Sequence, residues 1–551
     1  MSEVVTDFEV LICGAGPVGL TLAMDLARRG VRVGVLERRA PGQPPSVKCN
    51  HVAARSMEAF RQLGVAAAVR NAGLPADYPN DCVYRTTVTG EEITRIAIPS
   101  RTERLGQFDG PDTMWPTPEP PHRINQIYLE PVLFAHARKC HNITILSETE
   151  LIDLRQDDIS VRCTVRHLSS NEVATLMARY LVGCDGARSL VRAAIGAKLE
   201  GDPVIQRVQS TYIRAPGLLG LIPGRPGWMN LSLNRRRCGN TIAIDGRETW
   251  LIHSYLYEHE EDFGALDRDD SIRTILGVGP GFDYQVLGKE DWIGRRLVAD
   301  SFRDRRVFIC GDSAHIWVPY AGYGMNAGIA DAMNLSWLLA AHLAGWAGEQ
   351  ALAAYMAERG PITEQVSHFA MNHALAALKH RREVPADIEA PGARGAAARR
   401  AFGEEVYRLN VQQYCCGGLN FGYFYDRSPL IAYDGEPHPS YTMADFTEST
   451  VPGCRTPHFW LADGRSLYDA AGSGFMLLRF DPRVDVSPLL EAARARQVPL
   501  KLLDVEPQQR PAVYREALVL SRPDFHVAWR GDAAPRPALG LIDTVRGAAS
   551  G

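Results

Sequence analysis

The N-terminal segment of the chain reads Phe8-Glu9-Val10-Leu11-Ile12-Cys13-Gly14-Ala15-Gly16-Pro17-Val18-Gly19. Its first six residues predict a short buried strand, and residues 18–29 predict a helix with apolar side chains at helical spacing. Between these elements, Gly14 permits a tight turn, Gly16 lets the backbone approach a pyrophosphate, and Gly19 allows close packing of the helix. The segment therefore predicts a dinucleotide site in which phosphates meet the positive end of a helix.

A carboxylate follows this unit at a suitable distance. The predicted second strand, residues 31–36, ends at Glu37, which lies 23 residues after Gly14. A carboxylate at this place accepts hydrogen bonds from the adenosine ribose hydroxyls, so we expect an unphosphorylated ribose, as in FAD or NAD rather than NADP. The glycine pattern alone is a weak signal, because residues 277–281 repeat part of it without a flanking strand and helix.

A second acidic position lies far downstream, where residues 306–310 predict another apolar strand. Asp312 follows this strand, and residues 327–341 predict a long amphipathic helix. Asp312 is placed to accept hydrogen bonds from ribityl hydroxyls, although it could instead cap the helix. Backbone N–H groups at the start of the helix would stabilise negative charge on a reduced flavin. The expected cofactor contacts in this region are Gly311, Asp312, Pro319, Gly322, Gly324, Met325 and Asn326.

A third motif, Cys184-Asp185-Gly186-Ala187-Arg188-Ser189, lies between the other two, and alone it could be a turn after the strand of residues 180–183. Together, and in this order, the three motifs resemble the single-component FAD-dependent aromatic hydroxylases, the class A flavoprotein monooxygenases. At Lys48 the chain keeps the positive charge, but not the planar fork, of an arginine that the family often has near the flavin. The resemblance implies contacts to FAD or to NAD(P)H at Lys48, Gln126, Asp185, Gly186 and Arg188.

The resemblance also divides the chain into domains. We expect an α/β fold in which a Rossmann-like FAD-binding domain, residues 1–200 and 297–380, is interleaved with an antiparallel-sheet substrate domain at residues 201–296. Residues 381–450 predict a connection of helices and loops. Residues 451–551 predict strands and a helix in an order that resembles the thioredoxin-like C-terminal domain of phenol-hydroxylase-type members. Redox activity of that domain is not expected, because it has one isolated cysteine and no Cys-x-x-Cys.

Composition excludes several classes of partner. The 551 residues are 46% hydrophobic and 23% charged, and the formal net charge is −4 without a concentrated basic region. We therefore expect small-molecule chemistry and neither nucleic acid nor membrane as a partner. The charged run at residues 379–383 reads as a solvated helix end. The eleven cysteines lack metal-type pairs, so we expect reduced thiols, no metal and a cytoplasmic location, compatible with a homodimer.

In the family that the chain resembles, reduced flavin and O2 form a C4a-hydroperoxide, and the protein keeps that adduct dry beside an electron-rich ring. The resemblance thus implies NAD(P)H- and O2-dependent hydroxylation of a substituted phenol or catechol, with non-covalent FAD and with NADPH or NADH as co-substrate. Two alternatives stay open. The same motifs suit a tailoring oxygenase that acts on a polycyclic aromatic natural product, and a carrier of the GDI type shares the fold without the complete flavin site.

A base near the phenol oxygen would raise the rate of hydroxylation by about 10²-fold. Phenol-hydroxylase-type relatives have an aspartate a few residues before the arginine that corresponds to Arg55, whereas this chain has Asn50 and His51 there. His51 is the candidate catalytic base, since its ordinary pKa of about 6.5 lets it take a proton near neutral pH. Candidate substrate contacts, which could equally pack in the core of the predicted sheet, are Tyr212, His253 and Tyr255.

Overall fold

The computed structural model describes residues 6–107 and 109–548 and confirms the predicted α/β class. Its strands are β1 Phe8–Cys13, β2 Val33–Leu36, β3 Cys82–Arg85, β4 Glu92–Ile96, β5 Ile143–Leu146, β6 Thr149–Gln156, β7 Val161–His167, β8 Val173–Gly183, β9 Leu199–Arg214, β10 Met229–Ser232, β11 Gly239–Ala243, β12 Thr249–Tyr255, β13 Gln285–Lys289, β14 Trp292–Ala299, β15 Arg303–Asp304, β16 Val307–Ile309, β17 His315–Trp317, β18 Phe475–Arg479, β19 Leu500–Asp504, β20 Leu518–Ser521 and β21 Val527–Gly531. Its α-helices are α1 Pro17–Arg28, α2 Ala54–Gln62, α3 Ala66–Arg70, α4 Gln126–Ala137, α5 Leu190–Ala194, α6 Leu218–Leu221, α7 Arg268–Leu276, α8 Gly324–Leu343, α9 Glu349–Arg382, α10 Gly392–Tyr414, α11 Gly417–Phe421, α12 Leu467–Ala471, α13 Ser487–Ala495 and α14 Ala538–Val545.

The first sheet brings the three motifs to one edge. Its strand order is β15-β16-β8-β1-β2-β5, with β7 beside β8 and β6 beside β7. β1 runs parallel to β2 and to β8, and β16 runs parallel to β8. Ligands of open parallel sheets bind outside the carboxyl ends of the strands. The residues that follow β1, β8 and β16 therefore meet at a single site, although they lie far apart in the sequence.

The second sheet has nine strands, in the order β17-β14-β9-β12-β11-β10-β3-β4, with β13 beside β9. Most of its strands lie in residues 201–296, but β3, β4 and β17 come from segments that the sequence assigned to the FAD-binding domain. The structure differs from that predicted boundary because these strands are too short to show a period, and because β3 pairs in parallel with β10 from a distant part of the chain. α7 covers one face of this sheet through its buried residues Ile272, Ile275 and Leu276.

The C-terminal unit is a four-stranded sheet of order β19-β18-β20-β21. β18 runs parallel to β19, which follows it through α13, and antiparallel to β20. The long helix α9 ends at Arg382, and the connection predicted for residues 381–450 contains α10 and α11. Among the helices of the described ranges, none has both the length and the apolar character that crossing a bilayer requires.

A buried ion pair fastens the C-terminal unit to α9. Both nitrogens of the Arg522 fork donate to the carboxylate of Glu358, at 2.6 and 2.7 Å, and both side chains have no accessible surface. The same guanidinium donates to Asp524 at 2.8 Å and lies over the rings of Trp337 and Tyr425. Because each charge is fully enclosed, neither can be solvated if its partner is lost.

Arg522→Met should therefore destabilise the protein by about 3–5 kcal/mol, because it leaves Glu358 as a buried charge with no counter-ion. Denaturant-induced unfolding of the FAD-loaded protein measures this loss. The double variant Arg522→Met/Glu358→Gln should recover part of it, since it removes one of the two carboxylates, Glu358 and Asp524, that Arg522 neutralises. Equal stabilities of the single and double variants would mean that the ion pair does not hold the two units together.

Candidate functional site

The glycines of the first motif are of two kinds. A Cβ on Gly14 would lie 2.3 Å from the carbonyl oxygen of Cys184, and a Cβ on Gly19 would lie 2.0 Å from the carbonyl oxygen of Gly14. Both positions therefore require glycine for packing. A Cβ on Gly16 would meet no atom within 4 Å, and no side chain caps the N-terminus of α1 that Gly16 begins. The positive end of α1 thus faces an open cradle that suits a pyrophosphate.

The carboxylate of Glu37 accepts hydrogen bonds from nearby protein groups. Its carboxylate accepts from the backbone N–H of Ala15 at 3.0 Å and from the backbone and guanidinium of Arg39. Burial alone would raise the pKa of Glu37, but these hydrogen bonds lower it below the ordinary value. Arg39 also pairs with Glu130, which accepts from Gln126 Nε2 at 2.9 Å. The motif search found Glu37 and Gln126 but missed the arginine and glutamate that connect them.

The second motif connects two strand ends. The Asp185 carboxylate accepts from Ser189 Oγ at 2.5 Å, from Ser313 Oγ at 3.0 Å and from backbone N–H groups that begin α5. The backbone N–H of Gly186 donates to Ser313 Oγ at 3.1 Å, and the side chain of Arg188 is exposed. This carboxylate is thus fully engaged within the protein. The predicted contacts of Asp185, Gly186 and Arg188 with FAD or NAD(P)H stay predictions, and of these three the exposed side chain of Arg188 is the one most open to solvent.

Asp312 and Cys49 lie near each other, since the charge of Asp312 acts on the Cys49 thiol. Both side chains have accessible surface, yet burial raises the pKa of the Cys49 thiol to about 12 and also raises the pKa of Asp312. Groups with this combination line the inside of a deep cleft rather than the outer surface. Coulombic interactions with His315 and Lys48 oppose the rise in the pKa of Asp312. Lys48 itself pairs with Glu290, in the turn between β13 and β14, at 2.5 Å.

The turn from Pro319 to Gly324, which we call the flavin turn, has an unusual backbone. Ala321 and Gly322 both adopt left-handed conformations, with φ of +59° and +60°. For an alanine this conformation costs about 1–2 kcal/mol, so the surrounding contacts must enforce it. The turn delivers the chain to Gly324 and Met325 at the start of α8, where no side chain caps the helix. A second positive helix end therefore faces the cleft.

Asn326 ties the flavin turn to the loop that precedes α2. Its Oδ1 accepts from the backbone N–H of Ala53 at 2.8 Å, while its Nδ2 donates to the carbonyl oxygens of Gly322 at 2.6 Å and His51 at 3.1 Å. Asn326 is buried, so these bonds are not exchanged with water. This side chain was predicted as a cofactor contact, but the structure engages it in joining the two loops that flank the cleft.

His51 lies beside the flavin turn, but its environment does not suit a general base. Its Nδ1 is 2.5 Å from Nη1 of Arg123, and a Cβ on Gly322 would lie 3.0 Å from the Cβ of His51. Burial, together with the positive charge of Arg123, lowers the pKa of His51 well below its ordinary value. The guanidinium of Arg123 stacks on Trp228, and its Nε is buried without a partner among the described residues. A neutral histidine that accepts from a cation is a weak proton acceptor.

The register of the second sheet places all three predicted substrate residues on one face. Tyr212, His253 and Tyr255 share this face with Leu231 and Asn240, opposite the face that packs on α7. All of these except Tyr255 keep accessible surface, whereas residues on the other face are buried. Burial lowers the pKa of His253 to about 4, so this part of the strip is largely shielded from water. Tyr255 is 8% exposed and packs at the end of the strip instead.

The cleft fits FAD at several points. The cradle at Gly16 suits its pyrophosphate, the carboxylate of Asp312 suits its ribityl hydroxyls, and the N-terminus of α8 suits its pyrimidine. When bound, FAD would supply the redox chemistry. Within the described ranges, no group of three or more His, Cys, Asp or Glu side chains is arranged to hold a metal ion.

Gly16→Ala should reduce the amount of FAD bound per chain by at least about tenfold, because the added methyl group enters the pyrophosphate cradle. It should leave the apoprotein as stable as the unaltered protein, since the methyl group meets no protein atom. The matched control is Gly19→Ala, which should lower the stability of the apoprotein itself. Flavin absorbance and apoprotein unfolding measure the two effects. Full flavin content in the Gly16 variant would contradict the proposed cradle.

Comparison with known protein families agrees with this geometry. The FAD binding domain family matches residues 7–370, and the family described as the C-terminal domain of aromatic-ring hydroxylases matches residues 449–548. The first match includes all three motifs. It also includes β3 and β4, the two strands of the second sheet that lie in the N-terminal part of the predicted FAD-binding domain.

Individual relatives cover nearly the whole chain. Aklavinone 12-hydroxylase RdmE of Streptomyces purpurascens is 31% identical over 563 residues, which cover 98% of this chain and 98% of that protein. Phenol 2-monooxygenase of Pseudomonas sp. (strain EST1001) is 28% identical, with 98% and 93% covered. The solved structure of RebC with bound 7-carboxy-K252c superposes with a TM-score of 0.87 at 34% identity, covering 98% of this chain and 99% of RebC. The chain therefore belongs to the aromatic-ring hydroxylases and is an FAD-dependent flavin monooxygenase.

Proposed function

We propose that this enzyme uses NAD(P)H and O2 to hydroxylate an aromatic substrate of several fused or linked rings. The observation that carries the proposal is the width of the accessible strip on the second sheet. Leu231, Asn240 and His253 lie directly opposite one another on β10, β11 and β12. On β9 the buried Ser210 lies opposite His253, and Tyr212 lies on the same face one pair further along, opposite Leu251. Four adjacent strands span about 14 Å, a width that several rings fill and a single phenol ring does not.

The chemistry of the strip supports an uncharged aromatic ligand. Leu231 and Tyr212 offer apolar and aromatic surface, while Asn240 and His253 offer polar atoms. With a pKa of about 4, His253 is neutral at physiological pH and can both donate and accept a hydrogen bond. A mostly apolar cavity with a few polar groups that fix orientation is typical of small-molecule sites. These residues would bind the substrate, orient one hydroxyl-bearing ring and exclude water from it.

The names of the relatives support the same size class. RdmE is named for its action on aklavinone, and RebC was solved with 7-carboxy-K252c. A second candidate is hydroxylation of a substituted phenol or catechol, and the similarity to phenol 2-monooxygenase favours it. The intact cradle and the carboxylate of Asp312 argue against a carrier of the GDI type.

We extend the proposal to the cofactor, to its reductant and to the C-terminal unit. FAD is bound without a covalent bond, and NADPH or NADH reduces it near Lys48 and Arg188. The C-terminal unit is thioredoxin-like, and the order β19-β18-β20-β21 with one parallel pair supports this assignment. The homodimer and the cytoplasmic location stay predictions.

The width argument leads to a test with a narrowed cavity. Leu231→Trp should lower kcat/KM for a multi-ring phenol such as a hydroxylated anthraquinone by about 10²-fold, because the indole occupies one end of the strip. Hydroxylation of a single-ring phenol should change by less than about threefold. Val286→Trp, at an exposed position of β13, is the matched control. Product analysis must accompany NAD(P)H oxidation so that uncoupled turnover is not counted. Equal losses for both substrate classes would favour the single-ring candidate.

A second test concerns His51. His51→Asn keeps a hydrogen-bond acceptor for Arg123 but cannot take a proton, so hydroxylation should stay within about threefold of the unaltered rate. His51→Leu, which removes the acceptor, should reduce the rate further through misplacement of Arg123. If instead both variants lose about 10²-fold, and lose most with weakly acidic phenols, His51 is the base after all.

A further inference from the structure

A separate cavity of about 420 Å³ lies outside the cofactor cleft. It is bounded by the first half of β9, by the segment that follows β12 and by the C-terminal end of α9. We call it the Arg381 pocket and define it by its lining residues Gln206, Arg207, Arg235, Tyr255, Tyr257 and Arg381. Its volume falls in the range of small-molecule sites, about 300–1,000 Å³. None of the motifs of the FAD site lies in it.

Arg381 is the centre of this pocket. It is 9% exposed, and its described partners are neutral: Nη1 donates to Tyr320 Oη at 3.0 Å, Nη2 donates to Gln206 Oε1 at 2.9 Å, and the guanidinium lies over the ring of Tyr255. No carboxylate of the described residues forms an ion pair with it. Buried charges in proteins are normally paired, because their desolvation is otherwise uncompensated. The positive charge therefore points to a counter-ion that the chain does not itself provide.

The other charges around the pocket do not cancel this one. Glu260 forms an ion pair with Arg237, whose two terminal nitrogens donate to it at 2.8 and 2.7 Å. Glu258 pairs with Arg382. Arg207 and Arg235 form no ion pair with any residue of the described chain. The pocket therefore carries an excess of positive charge from Arg207, Arg235 and Arg381, which favours an anion.

Aromatic rings complete the lining. Tyr257 stacks on His259 with ring centroids 6.0 Å apart and an interplanar angle of 23°. The guanidinium of Arg381 lies over the ring of Tyr255, and that of Arg237 lies over the ring of Tyr257. The two rings therefore carry cations on their faces and add aromatic carbon to the lining, beside which a ligand that combines an aromatic ring with an oxyanion can bind.

We propose that the Arg381 pocket binds an oxyanion attached to an aromatic ring system, and that its occupancy is transmitted to the flavin turn through Tyr320. Two kinds of ligand combine an aromatic ring with an oxyanion in this way. One is the adenosine phosphate of a reduced nicotinamide dinucleotide, and the other is an aromatic carboxylic acid. The first source rests on the proposed NAD(P)H use, whereas anion binding itself does not. Tyr320 belongs to the flavin turn, and an oxyanion that bonds to Arg381 competes directly with the hydroxyl of Tyr320.

The test is a calorimetric titration of the FAD-loaded protein with 2′,5′-ADP and, separately, with benzoate at low ionic strength. Adenosine and benzamide are the neutral counterparts. We expect one of the anions to bind with a Kd below about 1 mM, and its neutral counterpart to bind at least about tenfold more weakly. Binding of 2′,5′-ADP alone identifies the nucleotide as the source, and binding of benzoate alone identifies the aromatic acid.

Variants assign the binding to this pocket. Arg381→Met and the double variant Arg207→Gln/Arg235→Gln should each weaken it by about tenfold or more, and the double variant serves if Arg381→Met does not fold. Arg236→Gln is the matched control, because this exposed arginine pairs with Glu389 outside the pocket. The proposal is overturned if neither anion binds, or if the double variant binds as tightly as the unaltered protein.

The connection to the flavin has its own readout. Anion binding should shift the flavin absorbance spectrum, and Tyr320→Phe should abolish the shift while anion affinity stays within about threefold, because the phenylalanine cannot bond to Arg381. An unchanged shift in Tyr320→Phe would refute the transmission. These titrations require no turnover, so a failure to hydroxylate any aromatic substrate would refute the proposed function and leave this result standing.

Discussion

The structure depends on close backbone contacts at the carboxyl edge of the first sheet, where the ends of its strands meet the starts of α1 and α8. There the carbonyl oxygen of Cys184 occupies the place where a Cβ of Gly14 would be, and the Gly14 carbonyl occupies the corresponding place at Gly19. On the other side of α1, the Cα atoms of Gly311 and Gly328 come close, and Val18 packs against both. Without side chains at these four points, the strand ends and the starts of α1 and α8 converge. Their positive helix ends then face one cleft.

That convergence explains the distribution of charge around the cleft. The two helix ends favour an anionic or electron-rich cofactor. The acidic groups nearby are mostly engaged in structural roles: Asp185 caps α5, and Asp331 accepts from His315 and Arg359 behind the flavin turn. Asp312 is the acidic side chain that keeps accessible surface inside the cleft. A carboxylate left open in this way, with a pKa raised by burial, is suited to hydrogen bonds with hydroxyl groups rather than to an ion pair.

The sequence predicted site residues whose place follows from neighbouring elements, and it missed contacts between residues that are far apart in the sequence. Gly14 and Asp312 were found because each sits directly at the end of a predicted strand. Arg123 was missed as the partner of His51, because 72 residues separate them, and so the low basicity of His51 had no sequence signal. The sequence placed Tyr212 and His253 on the predicted substrate sheet, but the face that they share with Leu231 and Asn240 became visible only through the register of β9 to β12. Arg381 lies in a charged run that reads as a solvated helix end, and only the packing of α9 against β9 turns it inward.

Three sets of side-chain hydrogen bonds hold the flavin turn in place, and they differ in burial and in charge. Asn326 fixes its C-terminal end to the loop before α2, with every described bond buried. Asp331, His315 and Arg359 form a buried charged network behind it, in which a shift of one member would leave another unsatisfied. At its N-terminal end, Tyr320 accepts a hydrogen bond from Arg381 at 3.0 Å and donates one to Gln206 at 3.5 Å, beside an open pocket. The bond to Gln206 is long and the pocket beside Tyr320 is open, so the Tyr320 end is where the strained turn can adjust at least cost. The substrate sheet supplies Gln206, so any such adjustment is felt by both sheets at once.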